Sequence, residues 1–181
     1  VNQLRGLLYE YGVILKAGRQ AGLAEMRQRM GELEGQVPGL LLQALQGQLA
    51  RIDGIDEEIA QLEKRIGAWQ KQEAPCKAIA EIPGIGKLTA TALVATMGEA
   101  KSFKSGREFA AYLGLVPRQS GTGGRVKLLG ISKRGDQYLR TLLIHGARSV
   151  LFRAKDKGAW SEALLKRRPT NVVITALANK M

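Results

Sequence analysis

The chain has 181 residues, 45 % of them hydrophobic, which is enough to bury a real core, and its formal net charge is +12. A single cysteine (Cys76) excludes an internal disulfide, a single histidine (His145) excludes a zinc site of the usual Cys/His kind, and no apolar run is long enough to span a membrane. The positive charge favours a polyanionic partner, with nucleic acid ahead of an acidic membrane surface.

Residues 1–37 are predicted to be linker helices. Residues 1–16 place leucine and tyrosine side chains on one helical face, and a shorter helix is predicted over 22–34. Both Cys76 and His145 are interpreted as packing residues. The chain opens on Val1 and closes within a helical run, so we expect it to be a piece of a longer protein, cut at both ends.

Residues 38–74 are predicted to form a coiled-coil arm that mediates contacts between copies of the chain. Pro38 suits the first turn of a helix, and Pro75 closes the segment. Apolar residues recur at two heptad positions. They are Leu45, Ile52, Ile59 and Ile66 at one position and Ile55, Leu62 and Trp69 at the other. The acidic residues at 53–58 are interpreted as a solvated helix face rather than a metal site.

Residues 75–181 carry the whole charge excess, with 19 basic and 6 acidic side chains against 9 and 10 in residues 1–74. Helices are predicted at 76–82, 86–98, 105–113, 136–154 and 169–181, joined by glycine-rich turns, with residues 125–131 as a short strand or hairpin edge. We therefore predict an all-α, mainly helical fold, in which the long coiled-coil arm precedes a compact helical domain.

The segment IPGIGKLTA, beginning at Ile82, predicts a helix-hairpin-helix unit that grips a phosphate. Gly84 and Gly86 allow a tight turn whose amides face outward at the start of a helix, and Lys87 adds positive charge. The other interpretation is a plain turn between helices. The same letters are not a P-loop, because Leu88 stands where magnesium binding needs Ser or Thr.

The segment from Leu115 to Arg140 combines a hydroxyl, a glycine-rich loop and many cations. Ser120 lies at the lip of the loop, and a serine among glycines and cations can either attack a phosphodiester or belong to a flexible loop that only grips phosphate. The residues predicted to bind DNA here are Arg118, Gly123, Gly124, Arg125, Lys127, Lys133, Arg134 and Arg140. The helix at 136–154 is expected to pack one face and to follow a DNA backbone with the other. Asp136 and Ser132 are interpreted as helix-capping residues.

Together, AAYLGLVPRQSGTGGR, LLGISKRGDQYLRTLLIHGARSV and PGIGKLTA resemble the C-terminal domain of the serine-containing transposases of bacterial insertion sequences. That family includes the Piv-type DNA invertases and the bridge-RNA-guided recombinases. The resemblance runs from Val1 to Met181 and gives the domain 75–181 its identity as a C-terminal transposase domain, truncated at its C-terminus.

The resemblance implies a transposase or site-specific recombinase in which a serine attacks DNA and forms a transient phosphoserine link. Ser120 is then the candidate nucleophile. Many relatives carry two consecutive hydroxyl residues before the paired glycines, where this chain has Gly121-Thr122, which makes Thr122 a weaker rival. The family's Mg²⁺ is held by a RuvC-like acidic domain that this chain lacks, so no metal ligands are assigned here and the chain alone is expected to be inactive.

The implied partners are DNA, a structured guide RNA and further copies of the chain, with no membrane, and the implied location is the bacterial cytoplasm at the nucleoid. The alternative is a non-catalytic module that binds DNA structure through the helix-hairpin-helix unit.

Overall fold

The structure, a computed structural model, describes all 181 residues in two compact units, Val1–Leu62 and Glu63–Met181. The boundary falls inside the longest helix, and each unit has a hydrophobic core of its own. The division differs from the predicted one, which placed boundaries at residues 37 and 74.

Four helices build the first unit. They are α1 (Asn2–Tyr9), α2 (Arg19–Gln28), α3 (Met30–Leu33) and the first part of α4 (Gly39–Gln72). Helix α1 ends earlier than predicted because the chain turns at Gly12, whose φ is +75°. Leu8 and Met26 lie in the core together with Leu45 of α4, which is fully buried.

The heptad positions of α4 therefore have two different environments. Leu45 packs inside its own unit, whereas Ile55, Ile59 and Leu62 are 49 %, 47 % and 53 % exposed. Half-exposed apolar residues on one stripe of a long helix are typical of a seam that lacks its partner helix. A coiled coil is thus a prediction for the second half of α4 only.

Two acidic residues of α4 make ion pairs within the first unit. Arg19 lies 2.6 Å from a carboxylate oxygen of Asp56, and Arg27 pairs with Asp53. These contacts fit the interpretation of residues 53–58 as a solvated helix face.

The second unit contains the end of α4, six further helices, one turn of 3₁₀ helix (Ala100–Ser102) and a two-stranded antiparallel sheet. The elements in chain order are α5 (Ala74–Ala80), α6 (Lys87–Met97), α7 (Gly106–Tyr112), β1 (Pro117–Thr122), β2 (Arg125–Ile131), α8 (Gln137–Arg153), α9 (Ala159–Leu165) and α10 (Thr170–Lys180). The five helices predicted beyond residue 75 are confirmed to within about two residues. The prediction of a mainly helical fold is confirmed, as is the short strand at 125–131. The two-stranded sheet corrects the all-α part of that prediction, and α9 was not predicted.

Helix α8 lies at the centre of this unit and packs against α6 and α10. Its buried residues Leu139, Leu143, Ala147 and Leu151 recur every four positions and join Val173 of α10 in one core. No helix of the chain combines the length and the apolar character needed to cross a membrane.

Cys76 and His145, both interpreted from the sequence as packing residues, differ in their burial. Cys76 is fully buried, and burial raises the pKa of its thiol, with a smaller contribution from the Glu73 carboxylate. That interpretation is confirmed. His145 lies on the exposed face of α8, so its interpretation as a packing residue is wrong.

Candidate nucleic-acid interface

The segment predicted as a glycine-rich loop is a β-hairpin. Strands β1 and β2 pair antiparallel around Gly123 and Gly124, whose φ values are +59° and +79°. Two successive positive φ angles are what a two-residue hairpin turn requires, and glycine adopts them without strain. Ser120 accordingly lies within strand β1 and not at the lip of a loop, which corrects its predicted position.

One face of the hairpin combines the hydroxyls with cations. Ser120 lies directly opposite Lys127, and Thr122 lies opposite Arg125. Opposed residues share a face, with Cβ atoms about 5 Å apart, and so do residues two apart on one strand. Arg118 lies two residues before Ser120 and is assigned to this face on that ground, at the point where the register of the pair shifts, between Pro117 and Gln119. The opposite face carries Gln119, Gly121, Val126 and Leu128.

Neither face of the hairpin packs on the rest of the unit. All of β1 is exposed, and β2 is exposed up to its last residue. A two-stranded hairpin alone in water is only marginally stable, so its geometry depends on how its root is held. The cationic face, which we call the hydroxyl–cation face (Arg118, Ser120, Thr122, Arg125 and Lys127), is therefore accessible along its whole length.

Backbone contacts hold the root of the hairpin. The Ser132 amide donates to the Val116 carbonyl at 2.8 Å, and the Lys133 amide donates to the Gly114 carbonyl at 3.1 Å. Ser132 Oγ accepts from the Arg134 amide at 3.4 Å, so it stabilises this turn and does not cap a helix. Lys133 and Arg134 are exposed beside the root.

Arg140 stabilises the same root from inside. It is 8 % exposed, and its Nη1 donates to the carbonyls of Leu113, at 3.0 Å, and of Arg134, at 3.2 Å. The prediction that Arg140 binds DNA directly does not fit this position, because a buried guanidinium that donates to backbone carbonyls is not presented to a phosphate. Asp136 caps α8 as predicted, accepting from the Leu139 amide at 2.9 Å.

The PGIG turn joins α5 to α6. Of the three residues predicted to contact phosphate here, Gly84 lies in a different environment from Gly86 and Lys87. Gly84 packs against α8, where a Cβ atom would lie 2.7 Å from the Gly146 carbonyl oxygen, so its role in the structure is close approach. Gly86 and Lys87 are exposed at the start of α6, and no side chain caps that helix. Free amides and a lysine remain available there.

The cations of the second unit have no acidic partners. All four ion pairs of the structure lie between residues 19 and 56, so none of the 19 basic side chains of residues 75–181 is paired. Of the six acidic residues in the same range, Glu108, Asp136 and Asp156 accept hydrogen bonds from backbone amides. Unpaired cations attract a polyanion without first breaking internal contacts.

The residues around Ser120 do not fit a divalent metal. Mg²⁺ is held by carboxylates, and the hydroxyl–cation face presents guanidinium and ammonium groups instead. No group of three or more His, Cys, Asp and Glu side chains anywhere in the chain is close enough together to hold a metal ion.

Residues 76–162, which contain the hairpin, its root and α8, match the family described as Transposase IS116/IS110/IS902. Residues 76–162 are thus similar to the transposases of this family. Over 184 residues it is 44 % identical to a probable family 20 transposase of Pseudomonas aeruginosa, covering 99 % of this chain and 54 % of the relative. Over 187 residues it is 40 % identical to the transposase for insertion sequence element IS1111A of Coxiella burnetii, covering 99 % of this chain and 50 % of that protein.

The chain spans about half the length of these relatives. A more distant similarity joins the chain to the pilin gene-inverting protein of Moraxella lacunata, at 34 % identity over 102 residues, 56 % of this chain and 31 % of that protein. The expected resemblance to insertion-sequence transposases is thus confirmed at the level of the domain.

Strand β1 is the part of this site that the sequence prediction missed. The sequence did contain a signal for a hairpin. A Gly-Gly pair between two strand-like stretches is typical of a β-hairpin turn, and Gly123-Gly124 directly precedes the predicted strand at 125–131. The three glycines of 117–124 and its one proline, Pro117, favoured an interpretation as a loop.

Proposed function

We propose that this chain is the serine-bearing part of a DNA transposase that cleaves and rejoins strands through a phosphoserine intermediate. The hydroxyl–cation face carries the proposal: it is the one surface of the transposase domain on which exposed hydroxyls share a strand pair with three unpaired cations. Ser120 is the nucleophile, and Arg118, Arg125 and Lys127 neutralise the phosphate under attack.

The chemistry exchanges one phosphoester for another. Ser120 Oγ loses its proton and bonds to phosphorus, while the bond from phosphorus to a deoxyribose oxygen breaks and that oxygen takes up a proton. A deoxyribose hydroxyl of another strand then attacks the phosphoserine and restores Ser120. Each step keeps the number of phosphoester bonds constant, so rejoining needs no ATP.

Activation of the hydroxyl comes from outside this chain. A serine at its ordinary pKa is a weak nucleophile, and no histidine or carboxylate shares the hydroxyl–cation face to accept its proton. The Mg²⁺ that the family resemblance implies is, in this proposal, held by acidic residues in the part of the transposase beyond this chain. This chain contributes the nucleophile and the phosphate clamps.

Thr122 is the rival nucleophile, because it occupies the same face two residue pairs nearer the turn and lies opposite Arg125. The alternative function is a non-catalytic module that binds DNA structure. It is favoured by the uncapped start of α6, where Gly86 and Lys87 are exposed. Replacing Ser120 with alanine in the complete transposase, and scoring the covalent protein–DNA adduct, separates catalysis from simple binding.

The partners in this proposal are DNA, a structured guide RNA and further copies of the chain, in the bacterial cytoplasm at the nucleoid. The unpaired cations support both nucleic acids, since DNA and RNA phosphates attract the same side chains. The half-exposed apolar residues of α4 support self-association.

The 181-residue chain alone is expected to bind nucleic acid with steep salt dependence and to cut nothing. We assume that the cations of the hairpin and the free amides and lysine at the start of α6 contact about four to six phosphates. A plot of the logarithm of the affinity against the logarithm of the salt concentration then has a slope of about −4 to −5. Fluorescence anisotropy titrations at several salt concentrations measure the slope. Magnesium-dependent cleavage by the isolated chain would show that the active site is not divided.

Replacing Leu62 with aspartate is expected to dissociate copies of the chain. Leu62 is 53 % exposed on the apolar stripe of α4, so a charge there costs the folded monomer little but places a carboxylate in the seam between two helices. Analytical ultracentrifugation measures the change in mass. The matched control is Leu40→Asp, because Leu40 is 81 % exposed on the same helix but lies outside the heptad series; equal effects of the two variants would contradict a heptad seam.

A further inference from the structure

Helix α8 has an exposed face, the one that was expected from the sequence to follow a DNA backbone, and its residues indicate a more specific ligand. Eight residues of the helix are exposed, and two of them, Gln137 and Arg153, are its first and last residues. At 100° per residue, the other six fall on one side of the helix, opposite the buried leucines. They are Tyr138, Thr141, His145, Arg148, Ser149 and Phe152. We call this set the α8 outer face.

The charge and the exposed aromatic rings of the α8 outer face indicate what kind of ligand it binds. The helix contains no acidic residue, and its one arginine on this face, Arg148, has no ion-pair partner. Tyr138 is 55 % exposed and Phe152 is 67 % exposed, at the two ends of the face. Fourteen residues of α-helix separate the two rings by about 21 Å along the axis.

Exposed aromatic rings beside an unpaired cation are typical of surfaces that bind single-stranded nucleic acid. An unpaired base stacks on an aromatic ring, whereas the bases of a duplex are already stacked on each other. Hydrogen-bond donors between the rings, on His145, Arg148 and Ser149, suit the phosphates of the connecting backbone.

We propose that the α8 outer face binds an unpaired nucleic-acid strand, with Tyr138 and Phe152 stacking on bases and Arg148 contacting the backbone. The proposal rests on the nucleic-acid binding in the proposed function but not on its serine chemistry. The structure also explains why Arg140 cannot take this role: it lies on the opposite side of α8, tied to the root of the hairpin.

The test uses the 181-residue chain and fluorescein-labelled probes of one sequence: single-stranded DNA, single-stranded RNA and duplex DNA. Tyr138→Ala and Phe152→Ala are each expected to weaken single-strand binding about fivefold or more and duplex binding less. Arg148→Gln is expected to weaken binding to all three probes and to lower the salt slope by about 1. The DNA and RNA strands distinguish the two sources of an unpaired strand.

The controls are an exposed aromatic and an exposed arginine outside the face, Tyr9→Ala and Arg167→Gln, both expected to bind like the unmodified chain. Circular dichroism confirms that each variant is folded. The proposal is overturned if the α8 variants bind single strands as tightly as the controls, or if the aromatic variants weaken duplex binding equally.

Failure of this surface and failure of the proposed function give different results. If Lys127→Gln on the hairpin weakens binding while the α8 variants do not, the surface assignment is wrong and nucleic-acid binding stands. If the unmodified chain binds none of the three probes, both proposals fail. The three affinities measure binding alone, so serine chemistry does not enter this measurement.

Discussion

Ser120→Ala in the complete transposase is expected to abolish strand exchange and the covalent protein–DNA adduct. Loss of a nucleophile costs about 10³-fold or more in the rate of the chemical step, because no other group at that position can form the bond. DNA affinity is expected to stay within about twofold, since Arg118, Arg125 and Lys127 still supply the charge. Denaturing gel electrophoresis of labelled DNA after reaction measures the adduct, and anisotropy measures the affinity.

Thr122→Ala is the matched control, because it removes a hydroxyl from the same face of the same strand. If Ser120 is the nucleophile, this variant keeps the adduct; if Thr122 is, the two results exchange. Full strand exchange by the double variant Ser120→Ala/Thr122→Ala would contradict a hydroxyl nucleophile on this hairpin. The non-catalytic alternative would then stand, and Lys87→Gln at the start of α6 would be expected to weaken DNA binding.

Sequence patterns predicted the helices well because these depend on local features that can be read in one stretch of chain. Helix α4 begins just after Pro38 and ends just before the predicted boundary at residue 74. Asp136 caps α8 as its position before an apolar run indicated. The basic character of the second part of the chain could also be predicted from the sequence, because the charge excess lies wholly in residues 75–181.

Long-range contacts explain what the sequence did not predict. Arginine is usually a surface residue, yet Arg140 is buried. Burial is tolerated because two backbone carbonyls, 27 and 6 residues earlier in the chain, accept hydrogen bonds from its guanidinium group. Gly84 looked like a phosphate-binding glycine, but it is needed for contact with Gly146 of α8. Neither partner can be identified by local spacing, because each lies on a different element.

The candidate site was predicted in its residues but not in its geometry. Both predicted hydroxyls and three of the predicted cations, Arg118, Arg125 and Lys127, lie on one hairpin. Pairing of the strands places Ser120 and Thr122 on the same face as Lys127 and Arg125. A loop would have presented the same residues in many directions. The hairpin fixes their directions, which is why the position of its root matters for the chemistry.

Gly135→Ala is expected to destabilise the transposase domain by about 2–5 kcal/mol, the combined cost of a left-handed backbone angle and an overpacked contact. Gly135 has a φ of +83°, and a Cβ atom there would lie 1.8 Å from the Tyr112 carbonyl oxygen. This contact holds the end of α7 against the turn before α8, at the root of the hairpin. Both tryptophans, Trp69 and Trp160, lie in the second unit, so thermal unfolding followed by tryptophan fluorescence reports on it directly.

Alanine variants of two other glycines separate the cost of the backbone angle from the cost of the overpacked contact. Gly158 has a φ of +75° but open space around it, so Gly158→Ala is expected to cost only about 1–2 kcal/mol, from the backbone angle alone. Gly130 has neither a positive φ nor a neighbour within 4 Å, so Gly130→Ala is expected to change stability by about 0.5 kcal/mol or less. If Gly135→Ala unfolded no earlier than Gly158→Ala, the contact with Tyr112 would not hold the root. If it unfolded earlier and also lost DNA binding below its melting point, the root would fix the hydroxyl–cation face in its binding geometry.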